Sequence, residues 1–145
     1  MAVQKPKVLF LCTGNSARSQ MAEAFLRKYA SDRFEAYSAG VEPKGVNPYT
    51  IQVMDEIGVD MSDYHSKSMM EFMGKVHFSY MITVCSDAEE KCPIFPGMGI
   101  RLHWPYEDPA SARGSEEEKL ATFRRVRDEI ETAILAWIAG FETKD

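Results

Sequence analysis

The sequence predicts an α/β domain: a four-stranded, parallel, doubly wound sheet flanked by helices. Three observations lead there. Val8 to Leu11 and Tyr80 to Val84 are short, continuous apolar runs, as expected of parallel strands covered on both faces, and each ends on a cysteine, Cys12 and Cys85. The first run is followed at once by a glycine-containing loop and a helical period. From Glu116 to Phe141, Leu120, Phe123, Val126, Ile130, Ile134 and Trp137 share one face, which makes a long amphipathic helix to lay on the sheet. At 145 residues the chain suits a single domain spanning 1–145, with no internal repeat, low-complexity segment or linker.

The elements follow in order. Met21, Ala22, Phe25, Leu26 and Tyr29 recur every three or four residues, so a helix starts at Arg18 and ends near Ala30. Phe34 to Gly40 alternates and reads as the second strand, stopped by Gly40. Asn47 and Pro48 open the next helix as N-cap and first helical residue. Ile51, Met54 and Ile57 line it and Gly58 ends it. Asp60 to Met73 is polar with a short helical period, and His65, Ser66 and Lys67 fall in its loop, where His65 reads as a surface or packing residue. Cys85 to Cys92 reads as a short helix terminated by Pro93, with Asp87, Glu89 and Glu90 either a plain charged face or a face that helps dock a partner. Pro93 to Met98 holds three breakers and reads as a mobile loop. Arg101 to Trp104 is the last strand.

The chemistry begins at Cys12. In Thr13-Gly14-Asn15-Ser16-Ala17, Gly14 and Asn15 tolerate unusual backbone angles, so the loop can wrap with its N–H groups inward. It sits on a helix N-terminus, a ready anion site, and Arg18 adds a planar fork of donors for a tetrahedral oxyanion. The same positive field favours thiolate at Cys12, giving a nucleophile inside an oxyanion cradle. The bland alternative is a buried cysteine in an ordinary strand-to-helix turn. Ser38, near the end of the second strand, either hydrogen-bonds the loop or is simply solvated or packed. Asp108 precedes a proline, is held extended, and reads either as a general acid for the crevice or as a turn former. Because ligands of doubly wound sheets bind at strand carboxyl ends, Cys12 and Cys85 are expected to face one crevice.

Composition narrows the function. A net charge of −5 leaves no basic stripe for nucleic acid. The N-terminal apolar run is too short for a signal peptide or a membrane span, so the cytoplasm is expected. Three cysteines fit poorly with a secreted disulfide framework, and Cys85 and Cys92, six residues between them, lack the spacing of a zinc site; no metal is expected. If residues 85 to 92 were fully helical, their ends would lie roughly 10 Å apart. A disulfide needs Cα atoms within about 7 Å, so joining them would require the segment to unwind or bulge.

Taken together, the residues resemble a known family. Cys12-Thr13-Gly14-Asn15-Ser16, Arg18-Ser19-Gln20-Met21-Ala22-Glu23, Tyr37-Ser38-Ala39-Gly40, Gly45-Val46-Asn47-Pro48, Cys85-Ser86-Asp87-Ala88, Cys92-Pro93, His103-Trp104, Asp108-Pro109-Ala110 and Arg125 to Ile130 resemble the low-molecular-weight protein tyrosine phosphatase fold. Within it they are closer to the thioredoxin-coupled arsenate reductases. The resemblance covers nearly the whole chain. It implies that the backbone of 13–17 and Arg18 bind arsenate, with phosphate or sulfate as competitors, and that Cys12 attacks arsenic while Asp108 protonates the departing oxygen. It further implies that Cys85 attacks Cys12, that Cys92 then attacks Cys85, and that thioredoxin reduces the final disulfide. Ser19 would hydrogen-bond the thiolate and Asn15 would brace the loop. No bound cofactor is implied, and a monomer is expected. Ala17 stands where relatives often carry another cysteine, and Lys67 stands where some carry a carboxylate for potassium. A lysine ammonium in the ion's place implies no potassium requirement.

Two other functions fit part of the pattern. A phosphotyrosine phosphatase would use Cys12, Arg18 and Asp108 alone, leaving Cys85 and Cys92 without a role. It would want aromatic residues after Asp-Pro, where this chain has Ala110 and Ser111; Trp104 and Tyr106 could partly substitute. A non-enzymatic oxyanion-binding redox sensor would need an unreactive Cys12 or a dispensable Asp108.

Overall fold

The computed structural model describes residues 5–72, 74–84 and 99–142. Cys85, Cys92, the helix expected between them and the loop over 93–98 lie outside the described residues. Four strands, β1 (Lys7–Cys12), β2 (Glu35–Gly40), β3 (Tyr80–Thr83) and β4 (Ile100–His103), form one sheet in the order β2-β1-β3-β4. All three pairings are parallel. Among the described residues three helices flank it: α1 (Arg18–Ala30), α2 (Pro48–Asp55) and α3 (Glu116–Glu142).

The order explains where a site belongs. The chain steps from β1 to β2 on one side, then crosses back to β3 on the other, so the switch point lies at the carboxyl end of β1. Cys12 is that end. Val8, Leu9, Phe10 and Leu11 are fully buried, which is why β1 reads as an unbroken apolar run rather than an alternating one. Phe25, Phe123, Val126, Ile130 and Ile134 extend the same core as α1 packs against α3. Burying each such side chain contributes about 1.5–3 kcal/mol before entropy is counted, so the strand carrying the cysteine is among the firmest parts of the molecule.

Some local expectations shift. In α2 the buried residues are Thr50, Val53 and Met54, while Ile51 is exposed. The helix has only two turns, and its N-terminus is drawn onto the Cys12 loop by Asn47 N–H to the Ser16 carbonyl, 3.0 Å, which turns Ile51 outward. The helical period of 60–73 condenses to a single 3-10 turn, Met69–Glu71, capped reciprocally by Ser68 and Glu71. β4 begins one residue early and ends at His103. Among the described residues no helix is long and apolar enough to cross a membrane.

Candidate active site

The loop after β1 owes its shape to where its carbonyls go. Those of Cys12, Thr13, Gly14 and Ser16 accept from the N–H groups of Val41, Glu42, Lys44 and Asn47, at 3.2, 2.8, 2.9 and 3.0 Å. The Asn15 carbonyl takes the Ser66 hydroxyl at 2.6 Å and Gln20 Nε2 at 3.1 Å, and the Ala17 carbonyl starts α1 by accepting from Met21. In a trans peptide the next N–H points opposite to the carbonyl. Six carbonyls tied outward therefore turn the N–H groups of residues 13–18 inward. Asn15 N–H, 3.2 Å from Cys12 Sγ, shows the result directly.

Helix α1 opens without a side-chain cap, whereas α2 is capped by Asn47 Oδ1 on Tyr49 N–H at 2.9 Å. The first N–H groups of α1 are thus left for an anion. Asn15 adopts φ 47°, a left-handed conformation that asparagine tolerates. Gly40 is needed for a different reason: a Cβ there would lie 2.8 Å from the Thr13 carbonyl oxygen and 2.9 Å from Asn15 N.

A buried polar chain holds this geometry. Asn15 Nδ2 donates to Ser19 Oγ (2.8 Å) and to Ser38 Oγ (2.9 Å), while Asn15 Oδ1 accepts from Gln20 (3.0 Å) and from Lys67 N–H (2.8 Å). With its oxygen already accepting from Asn15, Ser19 has its own proton free for Cys12 Sγ, 2.8 Å away. Ser38 passes its proton toward Glu23 Oε1 at 2.5 Å. Glu23, almost fully buried, is paired with Arg27 at 2.7 Å and faces the Lys67 ammonium at 3.8 Å. Burial pushes Lys67 below the ordinary lysine range, the Glu23 carboxylate opposing this. Its Nζ also donates to the His65 carbonyl at 2.8 Å, which gives His65 a packing role through its backbone.

A cavity of about 440 Å³ opens over the loop. Cys12, 2% exposed, lies at its floor. Arg18 and Asp108 line it, as do Tyr106 and Lys44. Arg18 is fixed by NH1 on the Tyr106 carbonyl at 3.1 Å and stands 3.8 Å from Asp108 Oδ2. Asp108 caps the 3-10 turn Pro109–Ser111, Oδ1 accepting from Ala110 N–H at 3.0 Å and Oδ2 from Ser111 Oγ at 3.2 Å. It is both a turn former and a cavity residue. Burial beside Glu129 pushes the Tyr106 phenol up to about 12.

The sequence-predicted residues Cys12 to Ser19, Ser38 and Asp108 thus meet at one site. Cys85 and Cys92 lie outside the described residues. Val84 donates its N–H to the Leu11 carbonyl at 2.9 Å and accepts from Tyr106 N–H at 3.2 Å, so Val84 lies at the same sheet edge as Cys12. Sequence reasoning missed Lys44, Ser66 and the inward roles of Gln20 and Glu23. Ser19, Glu23 and Arg27 stand four apart, a polar stripe beside the apolar face of Met21, Ala22, Phe25 and Leu26, and that was a usable signal. Lys44 gave none.

Residues 7–145 match the family described as low molecular weight phosphotyrosine protein phosphatase. The chain is similar to the arsenate reductase of Halalkalibacterium halodurans, 47% identical over 129 residues that cover 88% of this chain and 91% of the relative. Among solved structures it is similar to an arsenate reductase in the phosphate binding state, with a TM-score of 0.79, 30% identity, and coverage of 93% of this chain and 98% of that one. It is also similar to a thioredoxin-dependent arsenate reductase of Corynebacterium glutamicum, TM-score 0.61, 29% identity, covering 94% of this chain and 65% of that one.

Proposed function

Because the chain belongs to the low molecular weight phosphotyrosine protein phosphatase family, we propose that it turns the family's oxyanion cradle to the reduction of arsenate to arsenite, in the cytoplasm, with thioredoxin as external reductant and no bound cofactor. The observation that carries this is Cys12 Sγ on the cavity floor, held by Asn15 N–H and Ser19 Oγ beneath an uncapped helix N-terminus and Arg18. The names of the relatives, arsenate reductases at near-half identity, favour arsenate over an aryl phosphate.

In the first step Cys12 thiolate attacks arsenic, one arsenic–oxygen bond breaks, and Asp108 supplies the proton that lets the hydroxyl leave as water. Arg18 and the loop N–H groups hold the remaining oxygens as charge builds on them. Cys85 thiolate then attacks Cys12 Sγ. The sulfur–arsenic bond breaks with its electron pair going to arsenic, which falls from As(V) to As(III), and a Cys12 to Cys85 disulfide forms. Cys92 attacks Cys85 and expels Cys12 thiolate, and the dithiol of thioredoxin reduces the Cys85 to Cys92 disulfide. Phosphate and sulfate compete for the cradle through shared shape and charge.

A coupled assay with thioredoxin, its reductase and NADPH, comparing arsenate with para-nitrophenyl phosphate, tests the proposal. Arsenate-dependent NADPH oxidation is expected to dominate. Steady hydrolysis of the aryl phosphate with no arsenate-dependent oxidation would replace it with the phosphatase alternative.

A further inference from the structure

Lys44 belongs to the cavity yet has no part in the mechanism above. Its backbone N–H is fastened to the Gly14 carbonyl at 2.9 Å, so its position is set by the cradle itself. Its stem lies over the bare face of Gly14, with Cδ and Cγ 3.5 and 3.6 Å from where a Cβ on Gly14 would stand. The side chain continues along the cavity wall. Arg18, the other cation among the described residues that line the cavity, is already engaged by the Tyr106 carbonyl and stands near Asp108, whereas Lys44 has no side-chain hydrogen bond or ion pair to any described residue.

We infer that Lys44 is a specificity-determining residue that reads the free, unesterified oxygen of an inorganic oxyanion at the cavity mouth. The inference deepens the arsenate proposal and rests on it for the identity of the substrate. Cys12 and the loop N–H groups lie at the floor, so a bound tetrahedral anion keeps three oxygens in the cradle and turns the fourth toward the mouth. In arsenate or phosphate that oxygen is an unesterified hydroxyl, small and able to accept a hydrogen bond from an ammonium. In an aryl ester it carries a ring, and a lysine ammonium gains little from it. A cation on a cavity wall also raises the local concentration of anions before they dock.

The test reads oxyanion affinity without turnover: protection of Cys12 from iodoacetamide by inorganic phosphate and by phenyl phosphate, with Lys44→Met and Lys44→Arg. Methionine keeps an apolar stem over Gly14 and removes only the charge. In Lys44→Met the phosphate midpoint is expected to rise roughly tenfold at low ionic strength, and its dependence on salt to flatten. The phenyl phosphate midpoint should move less, and Lys44→Arg should stay within about twofold of the natural chain. In the coupled assay the KM for arsenate should rise by the same factor as the phosphate midpoint, with a smaller change in kcat. An unchanged phosphate midpoint in Lys44→Met, or equal shifts for phosphate and phenyl phosphate, would overturn the inference. If the natural chain failed to reduce arsenate while the phosphate midpoint still moved, the substrate would be wrong and the oxyanion role of Lys44 would stand.

Discussion

Two walls of one cavity are built in opposite ways. The Cys12 wall is buried and over-tied: every carbonyl from Cys12 to Ala17 has a partner, and Asn15 uses both ends of its amide. The Asp108 wall is a surface turn. Asp108 is 43% exposed on its side chain, and the neighbouring Glu107 pairs with Arg125 where both are about half exposed. The difference matches the work each wall does. An oxyanion cradle gains from dipoles fixed before the reaction begins. In the proposed mechanism Asp108 is the proton donor, and its carboxylate oxygens here accept from Ala110 N–H and Ser111 Oγ. On the proposed mechanism, anion binding falls to the buried wall and proton transfer to the exposed one.

The comparison breaks most sharply at Gly40. Gly40→Ala would press a methyl group into the Thr13 carbonyl and Asn15 N, at 2.8 and 2.9 Å, with backbone on both sides and no flexible neighbour to give way. Turnover should fall at least about 100-fold, because displacement of this order destroys catalytic alignment. Phosphate protection of Cys12 should be lost with it, and overpacking should cost about 1–3 kcal/mol in denaturant melts. Asp108→Asn attacks the other wall and should separate the two functions. Arsenate turnover is expected to drop about 10²- to 10⁴-fold while phosphate still protects Cys12. Equal loss of protection would mean that the turn, and not the proton, had been removed.

The smallest expected effect is on the underside of the cradle. Lys67 Nζ stands 3.8 Å from Glu23 and 2.8 Å from the His65 carbonyl, so an ammonium already fills the space beside the buried carboxylate. Potassium added at constant ionic strength should change the phosphate midpoint by less than about twofold. A several-fold tightening would show that the cradle still needs a metal cation.

Much of this was legible in the chain because it is written locally. The strand, loop and helix around Cys12 follow from an apolar run, a glycine–asparagine pair and a 3.6-residue period, and Asn47-Pro48 marked the start of α2 by its own capping chemistry. What escaped depends on distant partners. Ile51 faces solvent because the start of α2 is bound to Ser16, thirty-odd residues earlier in the chain. Glu23 and Lys67 meet across 44 positions through Ser38 and His65, and no window of sequence contains them both with their partners. Lys44 acquires its place only when the segment after β2 zips along the loop after β1.

The proposed relay from Cys12 through Cys85 to Cys92 would separate a reductase from a phosphatase built on the same cradle, and Cys92→Ser addresses it most directly. With thioredoxin as the sole reductant, the variant is expected to release one arsenite per protein molecule and stop, with a Cys12 to Cys85 disulfide visible by mass spectrometry of its peptides. Sustained arsenate turnover by Cys92→Ser with thioredoxin alone would contradict the relay.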